Sequence, residues 1–267
     1  MMLRGLITAL FAIAVSQAAA QNTSLTALDD DYQAIGWEAV GKLDLNGGFC
    51  TGTLIAPDLV LSAAHCVYDR RGQLLKPGVI TFQAGFRNGQ VAATRKVSQV
   101  VAHQGFKPRE PLTGANVIHD VALLRLEKPI PTHEIDPFVL HGDAVRPGAV
   151  SVVSYGQGRA NLQSRQRECG LLERLDDLLL FDCDVTFGSS GAPVFSHLNG
   201  RGRILSVISG GLRDRTGKQI AVGPHLPKVV SEIKQAMRAN QRGPVAKIRR
   251  LGVGQSGNTG AKFVKAN

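Results

Sequence analysis

The sequence predicts an all-β protein built as a sandwich or barrel, and three observations carry that expectation. Short β-branched and apolar runs recur along the chain with turn residues between them. Thirty glycines and 12 prolines are spread through the 267 residues rather than clustered. No repeat of fixed period organises them. Hydrophobic residues make up 43% and charged residues 19% of the chain, so there is enough apolar surface to bury a core, and disorder of the whole chain is excluded.

The first element is not part of the fold. Met1-Met2-Leu3-Arg4, an apolar run from Leu6 to Val15 and then Ala18-Ala19-Ala20 read as a secretory leader over residues 1–20, cut after Ala20. Its apolar run is shorter than the roughly 20 residues that span a bilayer, and no later segment is apolar enough to do so. The expected product is therefore exported, either secreted or periplasmic. Residues 21–34 read as an N-terminal extension or propeptide.

Strand signals begin near Trp37. Ala39 to Leu45 and Phe49 to Ile55 flank Asn46-Gly47-Gly48, a hairpin signal because Asn and Gly tolerate positive φ. Pro57-Asp58 turns the chain into Leu59-Val60-Leu61. Further runs are Val79 to Ala84, Val97 to Ala102, Val121 to Leu126, Ala149 to Ser154, Arg203 to Ser209 and Gln219 to Val222. Leu171 to Phe181 fits either a helical face or two strands turning at Asp176-Asp177; the surroundings favour the hairpin. One helix is expected, with Pro227 in its first turn, an apolar face of Val229, Val230, Ile233, Ala236 and Met237, and a stop at Gly243-Pro244.

The four cysteines fall into two local pairs, Cys50 with Cys66 and Cys169 with Cys183. In an oxidising compartment an even count favours disulfides over metal ligation. Each would close a loop of about 15 residues, worth ~3 kcal/mol in the loop-entropy account. The formal charge of +10 is unevenly placed. After Asn240 the tail carries Arg242, Lys247, Arg249, Arg250, Lys262 and Lys265 with no acid. Residues 241–267 thus read as a basic flexible tail on a weakly basic body, and no specific nucleic-acid partner is expected.

Three segments carry potential chemistry: Ala63-Ala64-His65-Cys66, Asp120-Val121-Ala122-Leu123-Leu124 and Gly188-Ser189-Ser190-Gly191-Ala192-Pro193. Singly, each has a plainer reading: a hydrogen-bonded core histidine, a cap at the start of a strand, a flexible turn. Together, in the order His, Asp, Ser, they resemble the chymotrypsin-like serine proteases over about residues 37–240. Cys50 sits where the partner of Cys66 is expected in that family, and Ser154-Tyr155-Gly156 and the terminal helix also fit.

The resemblance implies two six-stranded antiparallel β-barrels, here 35–135 and 136–240, the second ending in the helix. It implies His65 as general base, Asp120 as its orienting acid, Ser190 as nucleophile, and the N–H groups of Gly188 and Ser190 as an oxyanion hole. Ser209 and Gly211 would hold extended substrate. Asp184, six residues before Ser190, would match the pocket-floor acid of trypsin and favour cleavage after Lys or Arg. The implied activity is hydrolysis of polypeptides by a monomer, with no cofactor and no metal.

The sequence also departs from that pattern. Trypsin and chymotrypsin carry Asp just before the nucleophile, to pair with a new N-terminus. Ser189 stands there, and there is no Ile-Val-Gly-Gly start. Gly-Ser-Ser-Gly-Ala-Pro-Val-Phe is similar to the bacterial branch that includes glutamyl endopeptidase, although Ile208 replaces the histidine of its acid-specific members. Two other readings compete: a catalytically inactive binding module on the same scaffold, and a zinc hydrolase using His65, Cys50, Cys66 and Asp120.

Overall fold

The computed structural model describes residues 22–142, 145–197 and 200–241. The leader at 1–20 and nearly all of the tail at 241–267 lie outside the described residues, as does the Gly243-Pro244 stop. The chain starts with a short strand β1 (Leu25–Ala27) and a helical turn α1 (Asp31–Ala34) capped by the Asp30 side chain. Six strands follow: β2 (Val40–Asp44), β3 (Phe49–Ala56), β4 (Leu59–Ser62), β5 (Thr81–Ala84), β6 (Ala93–Ala102) and, after the turn α2 (Gly114–Val117), β7 (Ala122–Leu126). They close into an antiparallel barrel in the order β2-β3-β4-β7-β6-β5. The β2–β3 hairpin turns where the sequence places it, with Asn46 and Gly47 both at positive φ.

The second half contains β8 (Gly148–Gly156), β9 (Arg159–Leu175), β10 (Leu178–Phe181), β11 (Pro193–Ser196), β12 (Arg203–Val207), β13 (Gly210–Arg213) and β14 (Gln219–Pro224). Their order is β12-β11-β8-β9-β10-β14-β13, and β1 adds to β9. The fold is chymotrypsin-like, but this second sheet is not sealed by a ladder as the first barrel is. Its two end strands, β12 and β13, are consecutive in the chain and meet through Ile208-Ser209. The hairpin reading of Leu171 to Phe181 holds, with the turn at Asp176 in the left-handed region.

The terminal helix α3 (Leu226–Gln241) buries Leu226, Val229, Val230, Ile233 and Met237 with the core of the first barrel. Ala236, expected on that face, is exposed. Helix spacing of three and four keeps the apolar side chains on one stripe, and Ala236 falls at its edge. Trp37, Phe138 and Phe195 cluster where the two halves join, with ring centroids 4.6–5.7 Å apart. Both disulfides form as the local pairs, Cys50–Cys66 and Cys169–Cys183. Among the described residues, no helix is long and apolar enough to cross a membrane.

Candidate active site

Strand pairing explains why two residues 55 positions apart meet. In the β4–β7 ladder Ser62 faces Ala122, so the chain just after β4 lies beside the chain just before β7. His65 starts a single 3-10 turn after β4, and the adjacent Cys66 is tied back to β3 through Cys50. Asp120 is 2% exposed. One of its carboxylate oxygens accepts from the His65 backbone N–H at 2.8 Å, and the other accepts from His65 Nδ1 at 2.7 Å. The Ser209 hydroxyl also donates to Asp120. An Nδ1–H committed to Asp120 leaves the lone pair on Nε2, which lies 3.8 Å from Cys66 Sγ. Burial pushes the His65 pKa down, but the Asp120 charge and hydrogen bond outweigh it, and the net direction is upward.

Ser190 lies in the loop between β10 and β11. Gly188 and Gly191 flank it with φ of +90° and +76°, a backbone conformation that glycine adopts without strain. Space demands glycine there too. A Cβ at Gly188 would overlap the Phe49 ring, and one at Gly191 would overlap Ser62 Oγ and the Thr51 carbonyl. Within this loop Ser189, Gly191 and Ala192 donate their N–H groups to Thr186, Ile208 and Ser189 carbonyls. Among the described residues, the N–H groups of Gly188 and Ser190 have no acceptor.

The loop is held to the first barrel by Thr51 of β3, a residue that sequence reasoning did not single out. Its N–H donates to the Ser190 carbonyl at 2.9 Å and its hydroxyl donates to the Gly188 carbonyl at 2.9 Å. The same hydroxyl accepts from the Tyr155 N–H at 3.0 Å. Ser62, also buried, donates to the Thr51 carbonyl at 2.8 Å. The only signal for Thr51 in the sequence is its position next to Cys50.

His65, Asp120, Gly188, Ser190, Ser209 and Gly211 all line one cleft of about 1090 Å³ between the two halves. No hydrogen bond joins Ser190 Oγ to His65 Nε2 among the described residues. Such contacts are often loose before substrate binds. A family profile described as Trypsin matches residues 29–233. The chain belongs to the trypsin family.

Two serine proteases are similar to this trypsin-family chain over part of its length. "Serine protease SP24D" of Anopheles gambiae is 35% identical over 125 residues, which is 45% of this chain and 41% of that protein. "Serine protease 23" of Homo sapiens is 31% identical over 166 residues, 55% of this chain and 42% of that protein. The chain thus spans about two fifths of the curated relatives it matches. A solved glutamyl endopeptidase in complex with MPD superposes with a TM-score of 0.66 at 17% identity. The match covers 80% of this chain and 96% of that one and establishes a shared fold.

Asp184 requires a correction. It does not line the cleft, and its side chain is exposed. The chain alternates here: Cys183 and Val185 are buried, so the residue between them points outward. Cys183 is pinned to Cys169, and the Asp184 N–H donates to the Gln166 side chain at 2.7 Å. Counting back from Ser190 cannot register such a cross-link. The carboxylate instead acts on Arg159, whose pKa burial lowers and Asp184 partly restores.

Arg159 is a second residue the sequence did not expose. Its guanidinium donates to the Ser154 carbonyl at 3.1 Å and reaches the Ser189 hydroxyl at 3.5 Å. A cation therefore sits beside the position where trypsin carries its acid. Gln219 is a third: it lines the cleft and donates to the Val185 carbonyl. The donor set proposed for zinc also fails chemically. Cys50, His65 and Cys66 do cluster, but the two sulfurs are bonded to each other and offer no thiolates.

Proposed function

We propose that the protein is an exported serine endopeptidase that acts through an acyl-enzyme. The observation that carries this reading is the pairing, across one cleft, of a half-exposed His65 bonded to a buried Asp120 with a serine loop that offers two unpaired backbone donors. Ser190 Oγ attacks the scissile carbonyl carbon while His65 Nε2 takes its proton. The carbonyl oxygen, now negative, is received by the N–H groups of Gly188 and Ser190. Collapse of the tetrahedral intermediate breaks the C–N bond, and His65 returns the proton to the leaving amine. Water then attacks the ester by the same route, with His65 again as base, releasing the acid and Ser190. Asp120 holds the imidazole tautomer and stabilises its cation throughout.

Substrate preference is better read as neutral than as basic. The acids lining the cleft among the described residues are Glu110 and Asp120. Asp120 is engaged by His65 and Ser209, and Glu110 pairs with Lys107 at 3.1 Å. Val185, Thr186, Gln219 and Gly211 form a wall without charge. Export is supported by the basic-apolar-small leader pattern and by two closed disulfides.

The unmade Ser190–His65 bond favours a second reading, a protease-fold binding module. A fluorophosphonate probe separates the two. Mature protein should label at Ser190, and Ser190→Ala should abolish both labelling and peptide hydrolysis, a loss of about 10⁶-fold in kcat for a working triad. Absence of labelling under conditions that label trypsin would leave the binding module standing.

A further inference from the structure

On the outer face of β9, away from the cleft, β1 and α1 enclose a niche of about 290 Å³ lined by Thr26, Leu28, Gln33, Arg165 and Arg167. Register explains the grouping. Thr26 pairs with Arg165 across the β1–β9 ladder, and Arg165 and Arg167 share a face because side chains alternate along a strand. The site holds positive charge without an answer. Neither Arg165 nor Arg167 makes an ion pair with any carboxylate among the described residues. Of the acids in the adjoining N-terminal turn, Asp30 caps α1 and Asp31 pairs with Arg87.

Two polar atoms at the niche are buried without a partner, Arg165 Nε and Gln33 Oε1. A buried guanidinium donor left unpaired is costly unless something arrives to accept from it. The Gln33 amide can turn end for end and present its NH₂ to the same visitor. His197, which hydrogen-bonds Ser151 at 2.6 Å, registers the positive field without adding to it: burial and then the Arg165 charge hold its pKa below the usual value, which favours the neutral ring.

We infer that this niche is a binding site for a small phosphate group, free or as a monoester, with Arg165 and Arg167 as its paired donors. Guanidinium donors in a fixed fork suit a tetrahedral oxyanion, and two of them give the bidentate geometry that makes such contacts strong. The volume suits a compact phosphate and leaves no room for a long polymer. The site needs the N-terminal segment, because Thr26 and Leu28 form one wall.

The structure supplies its own reporter. Trp37 is the single tryptophan of the chain, and the Arg165 guanidinium lies over its ring, 4.5 Å from the centroid. Phosphate that engages Arg165 alters this cation–π contact and so the Trp37 emission. The mature protein is titrated with inorganic phosphate, with glycerol 1-phosphate and with acetate, at constant ionic strength to remove screening effects. Saturable emission changes and a rise in Tm are expected with inorganic phosphate. Saturation by glycerol 1-phosphate as well assigns phosphomonoesters, and its exclusion assigns the free ion.

Arg167→Gln leaves the Trp37 contact in place and should weaken phosphate by about tenfold or more, with Arg165→Lys weakening it as well. Peptide hydrolysis should be unchanged in both. No saturable response to phosphate, equal affinity for acetate, or an unchanged midpoint in Arg167→Gln overturns the assignment.

Discussion

The two halves of the molecule reach similar architecture by different means. The first barrel is sealed all round by hydrogen-bonded ladders, and it delivers His65 and Asp120 already bonded to each other. The second sheet has two end strands that meet only through the chain at Ile208-Ser209, and it presents Ser190 on an irregular loop. The bonded His65–Asp120 couple is thus a product of strand register inside one barrel. The position of Ser190, the proposed nucleophile, depends on contacts made across to the other barrel, chiefly by Thr51. A closed ladder positions groups by many redundant bonds, whereas a loop needs specific anchors.

The largest expected effect strikes the couple itself. Asp120→Asn should lower kcat by about 10⁴-fold, because the amide no longer holds the productive tautomer. It should also change the pH profile. In the wild type, His65 must be neutral to act, so kcat/KM should rise with pH through a midpoint above the ordinary 6.5. Removing the Asp120 charge leaves burial as the main influence on His65, and the acid limb should move below 6.5. A limb that stays in place would show that another group sets it. The sign for stability is the reverse. A raised folded-state pKa contributes stability that is fully present below 6.5 and is lost as pH climbs through the folded value.

A smaller effect tests the anchor. Thr51→Val removes the donor to Gly188 and the acceptor for the Tyr155 N–H in a fully buried site. It should cost about 1–3 kcal/mol in denaturant unfolding. It should also reduce kcat more than it raises KM, because the oxyanion donors lose their support. The smallest effect comes two residues along the same strand. Thr53 is equally buried, but its hydroxyl has no partner. Thr53→Val should be neutral or slightly stabilising, within about 1 kcal/mol. If the two variants behave alike, burial alone rather than the cross-barrel bond explains Thr51.

The first barrel was legible in the sequence because its strands are short, apolar and separated by turn residues such as Asn46-Gly47-Gly48, all of which are local signals. Half of β9 was not. Residues 161–168 read Asn-Leu-Gln-Ser-Arg-Gln-Arg-Glu, with no apolar alternation. Gln163 and Gln166 are nevertheless buried, because they serve distant backbone. Gln163 donates to the carbonyls of Trp37 and Val40, and Gln166 donates to Thr23. Polar residues inside a strand are acceptable when every group finds a partner, and sequence periodicity cannot reveal such partners. β1 was missed for the same reason: it exists as a strand only because β9 offers it an edge.

From the order of residues alone come the all-β class, the cysteine pairs, the terminal helix and the candidates His65, Asp120 and Ser190. The first three depend on short spacing or on residue chemistry that any nearby context preserves, and the three candidates on the resemblance of their segments to a known family. What folding in three dimensions decided was which side chains face the cleft. It placed Thr51, Arg159 and Gln219 around the Ser190 loop, turned Asp184 outward, and left Arg165 and Arg167 together without a counter-charge. Those outcomes hinge on strand register and on a cross-link, where a shift of one residue moves a side chain to the opposite face.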